Sequence, residues 1–198
     1  GREEIERSID VSRTVGWFTT MYPVRLEVVE DIGESIKRIK EGLRTVLNKG
    51  IGYGAIVGYA DEELPRVSFN YLGQFDKEDK EAGNWSITGE NSGEAMDAGN
   101  QDFSIISING LVIEGKLEFN IASKLDIDST DRVAAAFKER LKEVISHTVS
   151  QERSYLTVSD IDNIISQEYL DKLQESREVE GIYLANSLQQ GFIYHALN

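Results

Sequence analysis

Three short segments, each combining aromatic side chains with glycines, limit the folds open to this chain more than any other feature. They are Arg13-Thr-Val-Gly-Trp-Phe-Thr-Thr-Met-Tyr-Pro-Val24, Asn48-Lys-Gly-Ile-Gly-Tyr-Gly54 and Phe69-Asn-Tyr-Leu-Gly-Gln-Phe-Asp76. A glycine next to aromatic residues is typical of backbone that comes close to a ligand or to another strand. We therefore expect these three blocks to lie at close approaches in a folded body.

The hydrophobic pattern around the blocks alternates extended runs with amphipathic helices, which predicts an α/β fold with a mixed sheet and packed helices. Strands are predicted at 24–29, 53–59, 67–72, 103–113 and 116–124. The last two read as an antiparallel hairpin with its turn at Glu114-Gly115, or at Asn109-Gly110 as a rival turn or bulge. Helices are predicted at 32–47 and 131–149, the second capped near Ser129-Thr130.

Charge and composition exclude several classes of protein. The chain has 198 residues and a net charge of -14, from 35 acidic and 21 basic side chains, which argues against nucleic acid or an anionic membrane as a partner. Cysteine is absent, so disulfides and thiolate metal sites are excluded, and a reducing cytoplasm is compatible. No apolar run reaches the roughly 18 residues of a membrane span.

The three blocks, taken in their order, resemble the second half of the epimerization domain of nonribosomal peptide synthetases, a branch of the condensation-domain superfamily. Trp17 favours the epimerizing branch, because condensation domains proper carry a glycine-phenylalanine segment without tryptophan at this place. Gly1-Arg2-Glu3 resembles the tail of a fourth block, Glu-Gly-His-Gly-Arg-Glu. The match covers about residues 1–150, so this part is expected to be the C-terminal lobe.

The resemblance implies a chloramphenicol-acetyltransferase-like fold of two lobes, each an α/β sandwich. The phosphopantetheine arm of a peptidyl carrier protein enters a tunnel between the lobes, and the carried aminoacyl or peptidyl thioester is converted from L to D. The two residues thought to exchange the α-proton are a histidine of a His-His-x-x-x-Asp-Gly motif in the first lobe and the leading glutamate of the fourth block. Neither is in this chain, so we expect it to be inactive without the missing N-terminal lobe.

The same resemblance indicates which residues could line the tunnel. Arg2, Asn70 and Tyr71 match family positions near the reacting group, although a disordered terminal charge at Arg2 and a packing role for Tyr71 are the alternatives. Trp17, Phe18 and Tyr22 are candidates for the wall of the pantetheine channel, or else core residues. No directly bound cofactor and no metal are expected, and the acidic side chains near 126–131 are interpreted as a helix start.

The composition changes after Ser150, and two C-terminal segments follow. Residues 151–176 read as a linker that ends in a helix cap at Asp160, followed by a helix over 160–175 that resembles a donor docking helix. Residues 177–198 resemble the opening of a downstream condensation domain, either in one natural chain or joined near 176–180. The candidate docking residues are Ile161, Ile164, Ile165, Leu170, Leu173, Ile182, Tyr183, Leu188 and Phe192.

Two alternatives stay open for these segments and for the whole chain. The C-terminal helices could simply pack on their own lobe, although a helix this short is marginal in water without a partner surface. The chain could also be a free-standing acyltransferase-like lobe of the same superfamily, which would need a catalytic histidine from elsewhere.

Overall fold

A mixed β-sheet forms the centre of one of the two units into which the chain divides. The computed structural model describes residues 10, 13–15, 19–58, 64–75, 93, 99 and 103–197. One unit comprises Tyr59–Leu141, and the other comprises Gly1–Gly58 together with Lys142–Asn198. The strands are β1 (Val67–Phe75), β2 (Ile106–Ile113) and β3 (Lys116–Ser123), and the helices are α1 (Ile32–Arg44), α2 (Tyr53–Ile56), α3 (Ile127–Val149), α4 (Gln167–Ser176) and α5 (Ser187–Leu197).

The sheet has the order β1-β2-β3, with β1 parallel to β2 and β2 antiparallel to β3. The predicted hairpin is confirmed, and its turn is at Glu114 and Gly115, where φ is 51° and 71°. Two consecutive positive φ angles are the conformation that a two-residue hairpin turn requires. The rival turn at Asn109-Gly110 is wrong, because Asn109 pairs with Asn120 within the ladder.

The apolar face of this sheet packs against the first part of α3. Phe69 pairs with Ile108, and Ile108 pairs with Ile121, so these three side chains lie on one face. Phe119 is two residues from Ile121 on β3 and therefore lies on the same face. The Phe119 ring meets Phe137 of α3 edge to face, with 4.9 Å between centroids. A side chain at Gly110 would overlap the Phe119 ring, so only glycine allows that ring to lie across β2.

In the other unit, α1 begins at an aspartate cap. The Asp31 carboxylate accepts a hydrogen bond from the Glu34 N–H at 2.7 Å. The Ser35 hydroxyl is held between the N–H and the C=O of Val29, at 2.9 and 3.0 Å. Residues 24–29 are not in a strand, so the strand predicted there is wrong; at Val29 the Ser35 side chain binds the N–H and the C=O that a ladder would use.

The strand predicted at 53–59 is also wrong, since Tyr53–Ile56 form the short helix α2. The N–H of Ile56 bonds to the C=O of Gly52 at 3.0 Å, and that of Val57 to the C=O of Tyr53 at 2.9 Å. A short apolar run has no periodicity that separates a strand from a turn of helix. Residue 59 lies outside the described part of the chain.

The helices of the C-terminal half differ from the prediction at their ends. α3 begins at Ile127, because the Asp126 carboxylate accepts the N–H of Ser129 at 2.8 Å and so caps the helix earlier than predicted. The helix predicted from 160 to 175 is interrupted at Asp162 and Asn163, whose φ values are 51° and 57°. It is replaced by a 3₁₀ turn, Val158–Ile161, followed by α4.

Candidate functional site

The first two aromatic-glycine blocks contact each other. Gly50 is buried with φ at 73°, and a Cβ atom there would overlap the ring of Tyr22. The Thr20 hydroxyl donates to the C=O of Lys49 at 3.1 Å, next to the same contact. The Tyr22 ring therefore packs directly on the backbone of Gly50, where any other residue would clash. This is a close approach of the kind predicted from the sequence.

The third block lies along β1 and sends its candidate side chains to opposite faces. Tyr71 pairs with Gly110 on the apolar face and is half exposed. Asn70 is on the other face, where its side-chain N–H lies 3.4 Å from the Asn109 carbonyl oxygen. The alternation predicted for this strand is thus present. Three further candidates, Arg2, Trp17 and Phe18, lie outside the described residues.

Residues 153–176, here named the C-terminal strap, lie against α1 in the same unit. Two acidic residues of the strap pair with three cations of α1. Asp171 accepts a hydrogen bond from Lys37 at 2.8 Å. Asp160 accepts one from Arg44 at 2.5 Å and another from Lys40. The contact is therefore ionic along one side of α1, and each pair joins residues more than 100 positions apart.

The hydrogen bonds around this contact favour the charged state of its carboxylates. Burial opposes ionisation of Asp160, but hydrogen bonds from Lys40, from the Thr157 backbone and from Arg44 outweigh it and hold the pKa of this carboxyl well below its usual range. Glu41 of α1 is also partly desolvated, yet the hydroxyl of Ser159, 2.6 Å away, keeps its pKa lowered. Both groups are ionised at neutral pH.

The strap also contains buried apolar side chains. Ile161 and Leu170 are 2% and 0% exposed, whereas Ile164, Ile165 and Leu173 are partly buried. The buried side chain of Gln174 accepts the Leu156 N–H at 2.6 Å and donates to the Leu156 C=O at 3.1 Å, so this polar group is satisfied. Because Ile161 and Leu170 are buried, they are not available to a partner in this conformation.

An open cleft of about 420 Å³ lies beside the strap. It is lined by Lys37, Arg153, Tyr155, Asp171, Gln174 and Glu175. Its two cations are already engaged, because Lys37 pairs with Asp171 and Arg153 donates to the C=O of Gln174 while stacking on Tyr155. Neither of these cations is therefore available to an anionic ligand.

The last helix presents an uncharged apolar surface. In α5 and the segment before it, Tyr183, Leu188 and Phe192 are 86%, 70% and 66% exposed. Ile182 is partly buried. Exposed apolar side chains that recur along one short segment are typical of a contact with another protein surface. Of the predicted docking residues, these are the accessible ones.

The two histidines have different neighbours. His147 lies close to Gly33 at the start of α1, where its Nε2 would be 3.1 Å from an added Cβ. His195 is on α5 beside Tyr194. No group of three or more possible metal ligands occurs among the described residues. Within the same residues, every helix is too short or too polar to span a membrane.

Several residues of this arrangement were not found from the sequence. Asp160 was interpreted only as a helix cap, and its ion pairs with Lys40 and Arg44 depend on a contact between distant segments. Asn109 and Asn120, which neighbour Asn70 across the sheet, require the strand register. The position of the hairpin turn is enough to predict that Asn109 pairs with Asn120. It does not predict that Asn70 pairs with Asn109, because β1 and β2 are parallel and are not joined by that turn.

Comparison with known proteins agrees with the resemblance carried by the three blocks. A family model described as "Condensation domain" matches residues 1–164. Bacitracin synthase 3 of Bacillus licheniformis is 39% identical over 213 residues, covering 100% of this chain and 3% of that protein. Bacitracin synthase 1 of the same organism is 32% identical over 210 residues, covering 98% of this chain and 4% of that protein. The chain thus spans only a small part of the length of these relatives.

A solved structure extends the agreement to the fold. The epimerization domain from the third module of tyrocidine synthetase B superimposes with a TM-score of 0.63 at 30% identity, over 77% of this chain and 37% of that domain. The predicted α/β fold and the predicted resemblance to an epimerization domain are confirmed by this match. The chain belongs to the condensation-domain family.

Proposed function

We propose that this chain is the C-terminal lobe of an epimerization domain in a nonribosomal peptide synthetase. The observation that carries the proposal is the 30% identical match to an epimerization domain, over little more than a third of that domain's length. The aromatic-glycine blocks support it, since two of them form the close approach of Tyr22 to Gly50 and the third presents Asn70 and Tyr71 on a strand. In this proposal residues 1–150 are the lobe.

The reaction requires more groups than this chain supplies. The α-proton of a thioester is weakly acidic, so an enolate must be stabilised by hydrogen-bond donors, and bases must reach both faces of the α-carbon. The two groups that the resemblance assigns to proton exchange, the motif histidine of the first lobe and the leading glutamate of the fourth block, do not occur in this sequence. We therefore propose that the chain acts only together with the missing N-terminal lobe and a peptidyl carrier protein, whose phosphopantetheine arm delivers the aminoacyl or peptidyl thioester.

Exchange of the α-hydrogen in heavy water tests this proposal. An L-aminoacyl thioester on a carrier protein is incubated with the chain alone, and with the chain produced together with the first lobe of a related epimerization domain. We expect exchange at the background rate for the chain alone and exchange with formation of the D-aminoacyl product for the pair. Exchange by the chain alone, or none by a correctly assembled pair, would contradict the proposal.

We also propose that residues 177–198 act in passing the product to a downstream condensation domain. The support is the exposure of Tyr183, Leu188 and Phe192, which contrasts with the buried Ile161 and Leu170 of the strap. In this proposal the strap anchors the segment to its lobe through α1, and α5 makes the docking contact. The donor role suggested for 151–176 would require the strap to leave α1.

A binding measurement with a downstream condensation domain that lacks its own opening helix tests the docking role. The double variant Leu188→Glu with Phe192→Glu places charges on the exposed apolar side chains of α5 and is expected to lose binding. The matched control Ser187→Glu adds a charge at the exposed first residue of the same helix and is expected to bind as the parent does. Equal binding by the parent and the double variant would contradict docking through α5.

A further inference from the structure

Three consecutive residues shortly after α1 have left-handed backbone conformations. Asn48, Lys49 and Gly50 have φ values of 47°, 51° and 73°, and they are here named the left-handed turn. Glycine adopts this conformation readily, whereas the side chain of any other residue meets a steric penalty in it. Asparagine tolerates it better than most residues, but lysine has no such preference. A turn of this kind persists only where its surroundings hold it in place.

Side chains of the first aromatic-glycine block hold the left-handed turn from one direction. The Thr20 hydroxyl donates to the C=O of Lys49 at 3.1 Å. The Tyr22 ring lies so close to Gly50 that an added Cβ atom would be 2.1 Å from a ring carbon. Because both contacts are made to backbone, they depend on the path that the backbone takes through the turn.

The left-handed turn is also continuous with the last turn of α1. The N–H of Val46 bonds to the C=O of Leu43 at 3.4 Å, and the N–H of Lys49 bonds to the C=O of Val46 at 3.2 Å. The first member of this chain of hydrogen bonds, Leu43, belongs to α1. Helix ends fray readily when their polar groups have no partners. The left-handed turn would lose its support if this end of α1 frayed.

The strap holds this end of α1. Arg44, the last residue of α1, donates to the Ser159 hydroxyl at 2.7 Å and to Asp160 at 2.5 Å. Lys40 also pairs with Asp160, and Glu41 accepts from the Ser159 hydroxyl at 2.6 Å. Three of the last five residues of α1 therefore have partners in the strap, more than 100 positions away in the sequence.

We propose that the strap controls the left-handed turn through the end of α1. While the strap is bound, the turn stays left-handed and Tyr22 packs on Gly50. When the strap is released, the last turn of α1 frays and the left-handed turn relaxes. The strap leads directly into residues 177–198, so a pull on that segment reaches the contact between the two blocks. This last step rests on the proposed function, in which 177–198 dock on a downstream domain, whereas the coupling of strap and turn does not.

Nuclear magnetic resonance of the full, isotopically labelled chain tests the coupling. A positive φ brings the N–H and the Hα of a residue close together and gives a strong nuclear Overhauser effect between them, so Lys49 reports the conformation of the turn. The double variant Ser159→Ala with Asp160→Asn removes the partners of Arg44 from the strap. It is expected to weaken the effect at Lys49 and to shift the amide signal of Gly50.

The matched control is Asp171→Asn, which removes the ion pair with Lys37 about two helical turns before Arg44. It is expected to leave the signals of Lys49 and Gly50 unchanged. Ser159→Ala alone is the second variant should the double variant fail to fold, and it should produce a smaller change in the same direction. The proposal is overturned if a folded strap variant leaves Lys49 unchanged, or if Asp171→Asn changes it equally.

Glycine at position 49 separates release of the turn from a general loosening of the unit. Lys49→Gly removes the steric penalty of the left-handed conformation, so the turn should persist without the strap. In this background the double variant should no longer shift the Gly50 amide signal. A shift of the same size in both backgrounds would contradict the proposed role of the turn.

Coupling is reciprocal, so a disturbed turn should loosen the strap. Thr20→Val removes the hydrogen bond to the C=O of Lys49. The N–H of Asp160, bonded to the C=O of Thr157 at 2.9 Å, should then exchange with solvent at least about fivefold faster. Thr130→Val removes a similar bond within α3 and should leave this rate unchanged.

An unchanged exchange rate of the Asp160 N–H in Thr20→Val would overturn the coupling. These measurements involve neither turnover nor docking, so their failure is distinguishable from failure of the proposed function. A chain that supports α-hydrogen exchange with its partner lobe, but whose turn ignores the strap, would refute the coupling alone.

Discussion

The carboxylate of Asp160 links the C-terminal strap to α1, because it pairs with both Lys40 and Arg44. Its pKa is held below the usual range by hydrogen bonds from Lys40, Thr157 and Arg44, which outweigh the opposing effect of burial. Because the native pKa is lower than the unfolded value of about 4, the stabilisation is complete above about pH 4 and is lost as the pH falls toward the native pKa. Asp160→Asn is expected to lower the free energy of unfolding at neutral pH by about 1–2 kcal/mol, a modest value because the cations are partly exposed to screening solvent.

Urea unfolding at a series of pH values measures this effect. The difference in unfolding free energy between the parent and Asp160→Asn should shrink as the pH falls below about 4. Glu180→Gln removes an exposed carboxylate outside the strap and should track the parent at every pH. A difference that stays constant through acid would contradict an ionic origin.

Gly50 is a position where backbone conformation and packing both exclude a side chain. Its φ of 73° is strained for other residues, and a Cβ atom would overlap the Tyr22 ring. Gly50→Ala is expected to cost about 2–4 kcal/mol, the sum of a left-handed alanine and an overpacked contact. The double variant with Tyr22→Ala has no ring for the alanine side chain to overlap. Its loss of unfolding free energy, measured by thermal unfolding, should therefore be smaller than the sum of the losses in the two single variants. Simple additivity would show that Tyr22 does not lie on Gly50.

At the scale of elements, α4 is anchored by one side of its surface. Leu170 is fully buried, whereas Tyr169, the preceding residue, is 54% exposed. Leu170→Ala is expected to lower the free energy of unfolding by about 2–5 kcal/mol, because it leaves a cavity in the contact of the strap. Tyr169→Ala in the same helix should cost less than about 1 kcal/mol, as for other surface substitutions. Chemical unfolding of both variants gives the comparison, and equal costs would contradict burial of the strap.

Elements whose signals are local were predictable from the sequence. The hairpin and α1 follow from alternation, the Glu114-Gly115 turn and a helical stripe. The prediction of a strand at 53–59 was wrong because a short apolar run fits a strand and a helical turn equally well. The break between Val158–Ile161 and α4 was missed, although Asp162 and Asn163 are of the residue types that adopt the left-handed conformation most readily after glycine.

The candidate site was predictable only where one strand or one block was involved. The opposite faces of Asn70 and Tyr71 follow from alternation alone, and the family resemblance gave their significance. The partners of Asn70 and of Asp160 could not be predicted, since each depends on contacts between segments that are 39 or more residues apart. Local patterns carry no information on such pairings.

For the molecule as a whole, the buried strap and the exposed α5 predict different results from two truncations. Removing 177–198 deletes α5 and is expected to change Tm by less than about 2 °C, because the removed apolar side chains are already in solvent. Removing 160–198 also deletes Ile161 and Leu170 and should lower Tm by more than about 5 °C. Calorimetry of both truncations tests this; equal Tm values would mean that the strap adds no stability to its unit.

The division of the chain has a consequence for how it is made on the ribosome. The sheet unit comes from one continuous stretch, Tyr59–Leu141, whereas the helical unit needs two stretches that lie on either side of it. Lys40 leaves the exit tunnel 120 residues before its partner Asp160. The nascent chain can therefore complete its hairpin early, while the cationic side of α1 stays in solvent until translation has passed the strap.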